Sequence, residues 1–109
     1  MNRYLIERHI PGVGGLSAAH HKDIAATSNL ALAALGGRAQ WRRSYLAADH
    51  TFCVYFAENE EVLREHSRLA GFPITRVNPI LTVLDPLSAF RPLGLSPASV
   101  AGTRRGGHV

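Results

Sequence analysis

Between residues 3 and 9 polar and apolar positions alternate, placing Tyr4, Ile6 and Arg8 on one side of an extended segment and Leu5, Glu7 and His9 on the other. A strand is expected there, followed by a connector at "PGVGG", residues 11 to 15, where proline and three glycines disfavour regular structure. Ser17 is placed to cap a helix, with Leu16 before it as a hydrophobic staple. Ile24, Ser28, Ala31, Leu32 and Leu35 then recur at helical spacing until Gly36-Gly37 stops the pattern. "AQWRRSYLA" (39–47) and "TFCVYFA" (51–57) are rich in aromatic and β-branched residues around a turn containing Asp49, which reads as a hairpin. In its second strand Phe52, Val54 and Phe56 share one face, Cys53 and Tyr55 the other, so both faces are largely apolar and each requires cover. A second helix is expected after Asn59, with Glu60 and Glu61 in its first turn and an apolar stripe of Val62, His66, Leu69 and Ala70. Gly71 and Pro73 end it, and a last strand fits residues 77 to 84, its beginning demoted to an edge by Pro79.

The order strand, helix, strand, strand, helix, strand is the α+β ferredoxin-like arrangement: an antiparallel four-stranded sheet with both helices on one face. Leu5, Cys53, Tyr55, Leu81 and Val83 are expected to make the other face apolar too. A second copy packed sheet to sheet, as a dimeric α/β barrel, is the economical cover. Periodicity fails beyond Asp85, so residues 1–86 are expected to form the domain and 87–109 a flexible C-terminal tail, with no role for His108.

Composition narrows the class of partner. A chain of 109 residues with 46% hydrophobic content suits one domain. No run is long enough to span a bilayer and no secretory leader is evident, which makes the cytoplasm the expected compartment and a membrane no expected partner. Cys53 is the single cysteine, so neither an internal disulfide nor a paired-cysteine zinc or redox motif can form. The net charge of +4 is dispersed over Arg42, Arg43, Arg91, Arg104 and Arg105 without interleaved aromatics, and nucleic acid is not an expected partner. "PGVGG" lacks the spacing of a dinucleotide or phosphate-binding loop.

The chemistry gathers on four residues. Strands one and three are central neighbours in a ferredoxin-like sheet, so Glu7 and His9 can approach Cys53, and His66 lies on the helix stripe. Imidazole, thiolate and carboxylate suit borderline divalent ions such as nickel, zinc and copper. Each also has a plainer use: a strand cysteine as a small buried hydrophobe, a stripe histidine as a core residue, Glu7 and His9 as a surface pair. The adjacent His20 and His21 read as two separate surface histidines, and Trp41 and Tyr45, on one face of the second strand, as packing residues. Cys53 lies mid-strand, away from any helix start that would activate a nucleophile, and no nucleophile elbow or carboxylate pair of glycosidase type is present.

"RYLIERHIPG", "QWRRSYLAADHTFCVYFA" and "LREHSRLAGFPITRV" resemble a family of small bacterial proteins of largely unassigned function that includes a nickel-binding protein with a ferredoxin-like fold. The resemblance covers about residues 2 to 86. It implies a dimeric ferredoxin-like protein with His9, Cys53 and His66, and with them Glu7, as metal-site positions. The nickel-binding relative is richer in histidine at the end of the first strand, where here Ile10 follows His9, so His50 or a partner subunit is needed to complete a shell. The function implied is a metal-binding protein that sequesters nickel or a similar ion, with affinity falling as histidines protonate below about pH 6. The alternative is a small-molecule enzyme or binding protein with its ligand between sheet and helices, a reading by fold analogy. A purely structural module is a third.

Overall fold

The computed structural model describes residues 1–92. A central strand β1 (Asn2–His9) is followed by helix α1 (Ala18–Ala34), the hairpin β2 (Ala39–Leu46) and β3 (His50–Ala57), helix α2 (Glu60–Ala70) and the short strand β4 (Arg76–Pro79). The sheet order is β2-β3-β1-β4, antiparallel throughout, which is the ferredoxin-like α+β fold expected. Ser17 caps α1 by accepting from the His20 amide, and Asn59 caps α2 by accepting from the Val62 amide. Gly71 closes α2 at φ 77°, a left-handed value open to glycine at little cost.

Both helices pack on the face carrying Tyr4, Ile6, Cys53, Tyr55 and Ala57, with Leu35, Val62 and Leu63 completing the core. The opposite face carries Leu5, Glu7 and His9 from β1 and His50, Phe52, Val54 and Phe56 from β3. Here the expected assignment is corrected, because Cys53 and Tyr55 lie under the helices and do not share a face with Leu5. The register pairs Cys53 with Ile6 and Val54 with Leu5. β3 has two apolar faces, and the one the helices cover bears the smaller Thr51, Cys53 and Ala57 beside Tyr55, while the phenylalanines face away.

Further differences are local. A bulge between Trp41 and Arg43 inserts an extra residue, so Trp41 turns toward the helices while Tyr45, opposite Phe52, stays on the open face. The stripe of α2 is Val62, Leu63, His66 and Ser67, rotated so that Leu69 is largely exposed. β4 ends at Pro79 instead of reaching 84, since beyond it only the Ile80 amide still bonds to β1, at the Arg3 carbonyl. Residues Pro86–Phe90 form a 3-10 turn capped by Asp85 and Ser88, which spans the expected boundary between the domain at 86 and the tail from 87. The remainder of that tail, 93–109 with His108, lies outside the described residues.

The "PGVGG" connector is bound to the hairpin turn. Ile10 donates to the Asp49 carbonyl, Gly12 to Asp49 Oδ1 and Gly14 to the Ala48 carbonyl, each at 2.8 to 3.0 Å. A Cβ on Gly14 would run into the Ala47 carbonyl oxygen, which as backbone cannot rotate aside, whereas one on Gly15 would meet nothing within 4 Å. Gly14→Ala is therefore expected to destabilise the fold by about 1–3 kcal/mol in urea denaturation, and Gly15→Ala to cost clearly less.

Candidate functional site

Two groups of polar side chains stand on opposite faces of the sheet. Under the helices, Arg8 is 2% exposed although it carries a full charge. Strand alternation puts it in line with Tyr4 and Ile6, so it enters the core beyond Ile6. Its Nη1 donates to Ser67 Oγ and to the Pro73 carbonyl, both at 2.8 Å, its Nη2 to Tyr55 Oη at 3.4 Å, and its Cζ lies 5.3 Å from the centre of the Phe72 ring. Among the described residues no carboxylate pairs with it.

His66 is fully buried beside this cluster, its ring 5.3 Å from that of Tyr55. Nε2 bonds to Ser28 Oγ at 3.1 Å and Nδ1 is buried without a partner among the described residues. Burial first, and the Arg8 charge second, push its pKa down to about 4, so the ring is neutral at pH 7. Burial likewise raises the Tyr55 phenol, with Arg8 opposing, and keeps it protonated. Cys53 is buried and donates weakly to Thr51 Oγ1 at 3.5 Å. Arg8, Ser28, Cys53 and Tyr55 together border a cavity of about 310 Å³ between sheet and α1.

The open face presents a different set. His9 and His50 are register partners at the end of the β1–β3 pair, their rings 4.7 Å apart and tilted by 33°. Phe52 stacks at 6.1 Å on His50, and Arg42 lies over Phe56 at 5.2 Å. The His9 amide is bonded to Thr75 Oγ1 and the Thr75 amide to the Glu7 carbonyl, which fixes the end of β1 from its other side. His9 itself is exposed and His50 half-buried.

Of the four residues expected to form a metal site, Glu7 and His9 are therefore on the open face and Cys53 and His66 on the covered one. The four do not converge, and among the described residues no three histidine, cysteine or acidic side chains form a metal-holding group. His20 and His21 act separately, His20 with Ser17 Oγ and His21 with the Val13 carbonyl. Sequence reasoning brought out His9 and gave His50 a supporting part, but assigned nothing to Arg8. The signal was present, since period-two alternation groups Arg8 with two core residues.

This arrangement defines a small ferredoxin-like α+β domain in which one sheet face is covered by neither helix. The chain belongs to the SCO4226-like family, described as nickel responsive protein SCO4226-like, whose pattern matches residues 4–80. The crystal structure of SCO4226 from Streptomyces coelicolor A3(2) has the same fold, with a TM-score of 0.62 over 75% of this chain and 99% of that one at 9% identity. No curated protein matches the chain. Among the described residues no helix is long and apolar enough to cross a membrane.

Proposed function

We propose that this protein binds nickel, or a similar borderline divalent ion, through the paired imidazoles of His9 and His50, and sequesters it without catalysis. The observation that carries the reading is the 4.7 Å approach of two imidazoles on neighbouring strands. Imidazole nitrogen suits nickel, copper and zinc, and two strands in register hold both rings in place before the ion arrives. The name of the family supports the choice of nickel. Glu7 shares the face and adds negative charge, while Cys53 and His66, beneath the sheet, are left as core residues.

Two imidazoles fill only part of a shell of four to six, and the rest falls to water and to a second copy of the chain. Leu5, Phe52, Val54 and Phe56 form an apolar strip beside the pair, and Leu81, Leu84, Leu87 and Phe90 are exposed along the chain after β4. A two-fold dimer through this face covers the strip and doubles the histidines.

Equilibrium dialysis of untagged protein against nickel, with metal measured by elemental mass spectrometry, tests this directly. Stoichiometric retention is expected, with affinity at least about tenfold weaker in His9→Ala and in His50→Ala, the scale on which even supporting residues of metal sites act. Cys53→Ser is expected to retain nickel as the parent does. Unchanged retention in both histidine variants would refute the proposal.

A further inference from the structure

The helix-side cavity holds a feature that the open-face site does not use. A guanidinium carries five N–H donors. Nη1 of Arg8 is taken up by Ser67 and Pro73, whereas Nη2 has only the 3.4 Å bond to Tyr55 Oη and the adjacent Nε has no acceptor among the described residues. Those two nitrogens form one edge of the fork that receives a carboxylate in bidentate geometry. A charge removed from water and left without a counter-ion is costly, and among the described residues no aspartate or glutamate borders the cavity to offset it. The rest of the wall is largely apolar, with Trp41, Tyr55 and Phe72 presenting aromatic rings and Ser44 and Thr51 hydroxyls. At about 310 Å³ the space is within the range of small-molecule sites.

We infer that the cavity between the sheet and α1 binds a small, mostly apolar carboxylic acid, with Arg8 pairing its carboxylate and the aromatic wall taking its body. The acid supplies the missing counter-charge and its apolar part replaces water along Trp41 and Phe72. Because this site and the His9–His50 pair are on opposite faces of the sheet, each can fail without the other.

Trp41 is the single tryptophan of the chain and lies in the cavity wall, so its fluorescence reports occupancy. The probes are 4-phenylbutyrate, decanoate and 2-naphthoate, the last followed by calorimetry because it absorbs near the indole band, with 4-phenylbutanamide as the neutral counterpart. Saturable binding of at least one acid is expected, about tenfold or more tighter than the amide, since a charge-assisted pair is being compared with a neutral one. Arg8→Lys, which keeps charge but loses the fork, is expected to weaken binding, and Arg8→Gln to bring acid and amide level. Should Arg8→Gln not fold, Ala25→Phe, which fills the cavity from α1, is expected to abolish binding in a protein that retains Arg8. Equal affinity for acid and amide in the parent protein, or no saturable binding of any of the three acids, would overturn the inference.

Discussion

Lowering the pH from about 6.5 to about 4 is expected to remove about 3 kcal/mol of stability through His66 alone. In the unfolded chain this imidazole takes up a proton near pH 6.5, while in the folded protein it resists until about 4, because burial and the neighbouring Arg8 charge both oppose a second positive charge. The unfolded state thus binds more protons throughout that window, so stability is fully present above it and is lost as the pH falls. For a domain of this size the loss is a large share of the total. Urea denaturation at a series of pH values between about 7 and 4 would measure it. His66→Gln cannot titrate, and its stability, lower at neutral pH because the Ser28 bond and ring packing are disturbed, is expected to follow a flatter line across the same range. An equal slope in parent and variant would show that the pH dependence arises elsewhere.

The second large effect concerns the open face. Val54 lies between Phe52 and Phe56 at the centre of the uncovered strip, opposite Leu5. Replacing it with lysine places an ammonium where the proposed two-fold partner packs, and an unpaired charge in such an interface costs several kcal/mol, which corresponds to association about a hundredfold weaker or more. The fold itself is expected to survive, because the substitution touches the helix-covered core nowhere and costs at most about 1 kcal/mol in strand preference. Light scattering during size-exclusion chromatography is expected to give twice the chain mass of 11.8 kDa for the parent and a single chain for Val54→Lys. A parent of single-chain mass at tens of micromolar would remove the dimer from the account.

The order of elements was legible because each signal was local: alternation along β1, the Ser17 and Asn59 caps, the Gly71 stop. Which face of β3 the helices cover was not, because Phe52, Val54 and Phe56 are as apolar as Cys53 and Tyr55, and the choice rests on register and side-chain size across forty intervening residues. The bulge at Arg42 was invisible for a related reason: one inserted residue reverses every later side chain, yet leaves composition unaltered. The site divides along the same line. Treating Glu7, His9, Cys53 and His66 as one set required both Cys53 and His66 to reach the face of Glu7 and His9; with both on the helix side, His50 becomes the natural partner of His9. Arg8 was overlooked because its charge suggested solvent, although its position in the alternation assigned it to the core.

The proposed site holds nickel on the imidazoles of the open face. X-ray absorption at the nickel edge of the loaded, untagged protein would reveal which atoms surround the metal. Nitrogen and oxygen neighbours with the outer-shell scattering of imidazole are expected, unchanged in Cys53→Ser and lost when His9 and His50 are both replaced. A sulfur neighbour that disappears in Cys53→Ser would contradict this assignment and move the metal to the covered side of the sheet.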